Sequence, residues 1–388
     1  MNKIDRVQTY LQEQQIDGWL LYDFHKNNDL AHRFLDIPSN VMATRRFLYW
    51  IPAEGAPIKI VHAIEDQMLD KWPGEKRMYS SWQSLEKEIQ SVLKGFKRVA
   101  MEYSPKNAIP YVSKVDAGTV DLVRSFGVEV VSSADFLLYF TSVLTKGEME
   151  SQKRAAAALW MIVQDAWKMV ARELKNGITE RDVQKWILAQ FKEKGLETDS
   201  GPIVGVNEHS ADPHFMTPEN GSSSIQEGDF LLIDLWAREI GEAAVYGDIT
   251  RVAVVGKPSS RHQEIFQIVR NAQKAGIALV RSKKSVQGWE VDEAVRSVIA
   301  AAGYEKYFIH RTGHNIDAAH MHGSGTHMDN LESHDVRPLV PMTCFSVEPG
   351  IYLPGEFGVR LESDVQIHED GGVEVTGGEQ DLLPNLLG

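Results

Sequence analysis

The chain has 388 residues, 43% of them hydrophobic and 24% charged, the balance of a folded globular protein rather than a fibre or a disordered tail. That length exceeds what one hydrophobic core organises, so two domains are expected. Lys and Arg total 41 against 54 Asp and Glu, and the resulting net charge of −13, with no basic stripe to offset it, argues against nucleic acid as a partner.

The chain opens on an amphipathic polar stretch through Trp19 with no apolar signal core, and no run of eighteen apolar residues follows anywhere. With Cys344 as the single cysteine, no intramolecular disulfide can form. A cytoplasmic protein in a reducing compartment, neither crossing nor entering a membrane, is expected.

Residues 1–142 alternate helix and strand. Val7, Tyr10 and Leu11 recur at helical spacing and lead into the strand-like run Trp19-Leu20-Leu21-Tyr22. Two apolar runs around Phe47 and Ile60 flank Glu54-Gly55, the pattern of a hairpin. A helix over 82–93 and strands at 99–101 and 128–131 complete a mixed α/β unit, with scattered polar residues and no Gly-rich phosphate loop.

The border is chemical. Thr145-Lys146-Gly147-Glu148 is a capping-box pattern, in which Thr and Glu side chains bond reciprocally to free backbone N–H groups at a helix start. A long helix ending at Asn176-Gly177 is expected, then a second from Thr179 carrying Val183, Ile187 and Phe191, and two more over about 260–281 and 291–302. Residues 143–388 therefore form the second domain.

Between these helices lies Phe230-Leu231-Leu232-Ile233-Asp234-Leu235-Trp236, a buried-strand pattern with one acid in its middle. A lone buried carboxylate costs several kcal/mol, so it needs a partner. Asp248 follows fourteen residues later, beyond a reversing loop at Gly241, and antiparallel strands would bring the two acids together. The pattern recurs, because Glu348 ends the run Cys344-Phe345-Ser346-Val347 and Glu362 follows at the same interval. Four such acids cannot all ionise together without cations. Oxygen-rich ligation with an imidazole suits first-row divalent ions, and the candidate imidazoles lie between the acid pairs, in His310-Arg311-Thr312-Gly313-His314. Surface placement is the competing reading for a segment this crowded with histidine.

Together these motifs resemble the pita-bread metallopeptidases, in the branch of Xaa-Pro aminopeptidases and prolidases. The carriers are IDLWA around Asp234, GDITR around Asp248, HRTGH ending at His314, SVEPGIY around Glu348 and GVRLESDV around Glu362. The resemblance covers about residues 145–375, and the unit before it looks like the creatinase-type N-terminal domain. It implies an α/β N-terminal domain (1–142) and an α+β pita-bread catalytic domain (143–388), the latter an internally duplicated unit of helices and antiparallel strands. The implied activity is exopeptidase hydrolysis of the bond between an N-terminal residue and proline, on dipeptides or longer peptides, by a cytoplasmic homodimer. Asp234, Asp248, His314, Glu348 and Glu362 would hold two divalent ions, manganese first, with cobalt, zinc or iron as alternatives. Glu348 would also carry the proton to the leaving amine, and His214 would donate to the tetrahedral intermediate. His310 and Arg360 take substrate-binding positions, with structural hydrogen bonding as the competing role, and Tyr352 reads as packing.

The chain departs from the family after His314. The usual second histidine falls on Met321, flanked by His320 and His322, and Asp317 replaces a usual glycine. A one-residue insertion assigns the second catalytic role to His322. A creatinase-like amidinohydrolase and a non-catalytic binding protein of the same fold are the alternatives, and both tend to lack ligands that are all present here.

Overall fold

The computed structural model describes residues 2–388, and no described helix is long and apolar enough to cross a membrane. The chain divides into one compact unit ending at Thr141 and a second running Ser142–Gly388.

The first unit is built on strand period. In β1 (Gly18–Asp23) every residue is buried, with Trp19 and Leu21 in one apolar cluster and Leu20 and Tyr22 in the other. Around it lie β2 (Phe47–Pro52), β3 (Ile58–His62), β4 (Glu75–Tyr79), β5 (Arg98–Met101) and β6 (Glu129–Ser132), in the order β4-β3-β2-β1-β5-β6. Helices α1 (Lys3–Glu13), α2 (Asp29–Phe34) and α5 (Ala134–Thr141) cover the Trp19 face, and α3 (Trp82–Leu93) and α4 (Ala117–Ser125) cover the other. α2, α4, α5 and β4 are not among the expected elements. α2 is too short to display a period, and β4 is an edge strand whose Glu-Lys-Arg start hides any alternation.

One expectation for this unit fails. Its polar residues are gathered, not scattered: the fully buried Glu102 accepts from Trp19 Nε1 (2.6 Å), Asn28 Nδ2 (2.7 Å) and Ser133 Oγ (3.0 Å). Beside it, buried Asp23 accepts from the Asn28 backbone N–H at 2.8 Å and lies 3.0 Å from His32 Nε2. The partners of Glu102 come from distant parts of the chain, so spacing gives no hint of them.

The second unit begins with α6 (Lys146–Glu173), started by the expected reciprocal bonds between Thr145 and Glu148. α6 and α7 (Glu180–Glu193) pack their apolar stripes on one face of the antiparallel pair β9 (Phe230–Glu239) and β10 (Gly247–Val254), against Leu231, Ile233, Leu235, Ile249 and Ala253. Two short strands, β7 (Leu196–Glu197) and β8 (Ile203–Val206), extend this sheet. The arrangement is then repeated. α8 (Ser260–Ser282) and α9 (Gly288–Ala301) cover Phe345, Val347, Val365 and Ile367 on β12 (Thr343–Val347) and β15 (Ser363–Ile367), a sheet that also holds β11 (Asn315–Ile316) and β16 (Val373–Thr376). Between β12 and β15 the ribbon continues as β13 (Gly350–Tyr352) and β14 (Gly358–Arg360), and Glu348 and Glu362 stand at the two breaks.

Period two decides what the uncovered faces carry. Asp234 shares its side of β9 with Phe230, Leu232 and Trp236, away from α6 and α7, and Thr250 is its direct cross-strand neighbour. α6 can pass this close because residue 247 is glycine: a Cβ there would stand 2.5 Å from the Ala156 backbone nitrogen.

Two outcomes are expected. Gly247→Ala must push α6 off the sheet and lowers stability by about 1–3 kcal/mol in urea unfolding. Burial pushes the Glu102 carboxyl up to about 7, above its unfolded value. Its protonated form therefore stabilises the fold fully below about pH 4.5, and that contribution, about 3 kcal/mol, is lost as pH rises through 7. Glu102→Gln flattens this slope in denaturant unfolding at stepped pH; an unchanged slope assigns it elsewhere.

Candidate metal centre

The two strand ribbons bring Asp234, Asp248, His314, Glu348 and Glu362 to the floor of one cavity of about 910 Å³. Ligand-type atoms of Asp248, His314 and Glu362 all lie within 4.8 Å of one another. His314 Nε2 stands 3.6 Å from Asp248 Oδ2 and 3.5 Å from Glu348 Oε1. Asp234 joins through Thr250, whose hydroxyl is 3.0 Å from Asp234 Oδ1 and 2.8 Å from Glu362 Oε2. That hydroxyl has one proton, so it can donate to only one of the two carboxylates. Asp234, Asp248, His314 and Glu362 are each at most 7% exposed, and Glu348 is half-buried.

The electrostatics of this floor call for cations. Burial, then the charges of Glu362, Asp234, Asp364 and Glu348, push the Asp248 carboxyl well above its usual range. Glu362 is raised in the same way by burial, Glu348 and Asp234, and burial lifts Glu348 to about 7 against the pull of Arg360 and Arg311. Burial holds His314 well below the ordinary imidazole value, so it is neutral with its lone pair available. His314 Nδ1 lies 3.3 Å from the Asn315 carbonyl, a bond that leaves Nε2 facing the carboxylates. Carboxylate oxygens plus one neutral imidazole, crowded beyond what they can ionise alone, fit divalent first-row cations.

The structure also shows how the floor is braced. The fully buried Asp364 accepts from the Asp248 backbone N–H at 2.8 Å and from Gln152 Nε2 at 2.6 Å, tying β10 to β15 and α6. Arg360 places Nη2 2.6 Å from Asp234 Oδ2 and Nε 3.0 Å from Thr250 Oγ1. Its Nη1 donates to the Tyr352 hydroxyl at 3.1 Å, and that hydroxyl lies 2.7 Å from His310 Nε2. Burial pushes His310 down to about 3, so its ring is neutral; Nδ1–H donates to the Arg311 carbonyl at 2.7 Å and Nε2 accepts from Tyr352. Tyr352 is thus more than packing. It links a cavity-wall histidine to an arginine whose charge lies on Asp234.

His214 and His322 are exposed side chains on the cavity wall, and the His322 ring sits 4.1 Å from that of His314, nearly edge-on. His320 is exposed and does not line the cavity. The remaining lining mixes apolar Ile203, Pro213, Met216, Trp236, Ile309 and Met321 with polar and charged side chains such as Asp212, Arg311 and Glu332. Thr250, Tyr352 and Asp364 were not among the expected site residues. Each lies one or two positions from an expected ligand or in its motif, and period two along GDITR and LESD was the signal that could have found Thr250 and Asp364.

Comparison with known proteins gives one consistent result. The model of Metallopeptidase family M24 matches residues 154–369. A probable dipeptidase, PepE, of Mycobacterium bovis is 32% identical over 264 residues, which are 68% of this chain and only 66% of that relative's length. An uncharacterized peptidase, YqhT, of Bacillus subtilis is 32% identical over 68% of this chain and 78% of its own. An Xaa-Pro dipeptidase of Lactobacillus delbrueckii subsp. lactis is 29% identical over 95% of each chain. Among solved structures, the dipeptidase PepE of Mycobacterium ulcerans superposes with a TM-score of 0.69 at 25% identity, covering 99% of this chain and 96% of that one. A prolidase of Pyrococcus horikoshii does so with 0.62 at 23%, covering 98% and 99%. The shared architecture is the pita-bread fold.

If the floor is a cation site, chelation lowers the melting temperature and added Mn²⁺ restores it, because each bound ion relieves carboxylate repulsion in the folded state alone. Asp248→Asn abolishes that response and lowers metal content by elemental analysis.

Proposed function

Because the chain belongs to metallopeptidase family M24 and is a hydrolase of that family, we propose that it is a dinuclear-metal exopeptidase that cleaves the bond between an N-terminal residue and proline, acting foremost on Xaa-Pro dipeptides. The observation that carries this reading is the meeting of Asp234, Asp248, His314, Glu348 and Glu362 on one buried floor beneath a cavity walled by histidines. The Xaa-Pro dipeptidase relative, aligned along nearly its whole length, supports the dipeptide substrate.

In this reading Asp234, Asp248, His314, Glu348 and Glu362 would together hold the two divalent ions. Divalent ions bound there supply Lewis-acid chemistry, lowering the pKa of water and polarising a carbonyl. The chain does the rest. Glu348, which accepts from the Ser346 hydroxyl at 3.1 Å, is placed on the cavity floor to pass a proton to the proline nitrogen as that amine leaves. His214 and His322, on the open side of the cavity, donate to the oxyanion that develops on the scissile carbonyl. The Arg360–Tyr352–His310 chain holds the floor carboxylate Asp234 and one wall of the cavity in a fixed relation, which serves the orientation of a substrate whose tertiary amide has no N–H to offer. Apolar lining residues such as Pro213, Trp236 and Ile309 offer a surface that suits the proline ring.

Hydrolysis of Ala-Pro with Mn²⁺ added is expected, with slower turnover of an Ala-Pro-Ala tripeptide. Activity on neither peptide at any first-row ion refutes the reading, and equal turnover of both moves it to an aminopeptidase. His214→Ala and His322→Ala keep bound metal and lose about 10²-fold in kcat.

A further inference from the structure

Beyond β11 the chain leaves regular structure, yet the residues that carry His322 are held by one buried side chain. Asp317 directly follows β11 and is 1% exposed. Its Oδ1 accepts the backbone N–H groups of Ala319 (2.8 Å) and His320 (2.9 Å), and its Oδ2 accepts that of Ser324 (3.0 Å). Its own N–H donates to the His320 carbonyl at 3.1 Å, which closes the turn from the other side. Residues on both sides of His322 are thereby bonded to a single carboxylate.

The neighbouring asparagine completes the frame. Gly323 N–H donates to the Asn315 carbonyl at 2.7 Å, and Gly325 N–H donates to Asn315 Oδ1 at 2.9 Å. Residue 323 must be glycine for this approach, because a Cβ there would stand 2.6 Å from Asp317 Oδ2 and 2.3 Å from Asn315 Oδ1. Arg337, paired with Asp335 at 2.7 Å, holds the far end through the Ser324 carbonyl at 2.8 Å. From within this frame His322 lines the cavity beside Met321, its ring 4.1 Å from that of His314.

Resting on the peptidase reading above, we infer that Asp317 is a positioning residue whose carboxylate folds residues 318–324 into the turn that sets the His322 ring over the metal floor. The carboxylate itself touches no substrate. A carboxylate suits the task because it is acceptor-only, with enough lone pairs for three converging N–H groups, whereas an amide would turn an NH₂ toward at least one of them. Its removal leaves three part-buried N–H groups without their common acceptor, and the turn must rearrange.

The test is a double-mutant cycle on the metal-loaded enzyme with Ala-Pro, joined to amide hydrogen exchange on the full chain. Asp317→Ala is expected to lower kcat about 10²-fold, as His322→Ala does, with KM within about threefold and metal content unchanged. The double variant should be no slower than His322→Ala alone, because a residue that acts through His322 has nothing left to position. Exchange at Ala319, His320 and Ser324 should rise in Asp317→Ala while the amides of β12 and β15 stay protected. Multiplying losses in the double variant, or unchanged exchange at those amides, overturns the inference. Should Asp317→Ala melt the whole unit, Asp317→Asn is used, with a smaller loss in kcat that again vanishes in the His322→Ala background. A wild-type enzyme inactive on every Xaa-Pro peptide would refute the peptidase reading instead, and exchange would still decide whether Asp317 holds the turn.

Discussion

The second unit depends on one electrostatic problem: Asp234, Asp248, Glu348 and Glu362 share a floor from which water is largely excluded. Two like charges about 4 Å apart repel by roughly 4 kcal/mol at an effective dielectric of about 20, and Asp248 and Glu362 each feel the charge of more than one neighbouring acid. Nothing in the apolar packing beneath them offsets that. The protein supplies one cation at contact distance, Arg360 on Asp234, and neutral donors elsewhere, so the carboxylates of Asp248 and Glu362 are pushed toward the protonated form. A floor of this kind is costly as a fold element and well suited to divalent ions, whose binding energy then becomes folding energy.

The repeated architecture is what makes the crowding possible. Each half covers one face of an antiparallel ribbon with two helices and leaves the opposite face to the acids. In the first half the ribbon is unbroken, and Asp234 and Asp248 lie within strands. In the second it is broken at both acids, so Glu348 and Glu362 sit at strand ends where the backbone can turn their carboxylates inward. Several contacts couple the halves beneath the site, among them Asp364 of β15, which accepts the backbone N–H of Asp248, Thr250 of β10, which reaches Glu362, and Arg360 of β14, which reaches Asp234. A shift of one ribbon against the other would therefore move ligand-type atoms from both acid pairs at once.

The sequence made much of this legible, for identifiable reasons. Long helices announce themselves through caps and a sustained 3.6-residue period, and α6 starts at the capping box read from Thr145 and Glu148. The acids were visible because a charged residue inside an apolar run is conspicuous, and equal spacing tied the pairs together. The Glu102 network, the relay through Tyr352 and the brace at Asp364 were not visible, since each depends on contacts between segments far apart in the chain. Tyr352 shows the limit well. Its place in an apolar run reads as packing, and only the folded chain brings Arg360 and His310 to its hydroxyl.

The segment after His314 shows how a stretch poor in regular structure can hold a side chain at a cavity wall. Rigid loops usually borrow order from strands or metals, but here the order comes from aspartates that each gather a few backbone N–H groups. Asp317 does this for 319–324, Asp329 accepts from Leu331, Glu332 and Ser333, and Asp335 accepts from His327 while pairing with Arg337. All three are fully or almost fully buried, so each bond is made where losing it is expensive. The histidine-rich composition that reads as a surface loop thus hides a scaffold whose fixed points are acidic. The part of the wall that carries Met321 and His322 is set by hydrogen bonding local to this segment, whereas the floor is set by strand pairing across the unit, so substitutions in 318–335 can reshape that part of the wall while the acids below stay in register.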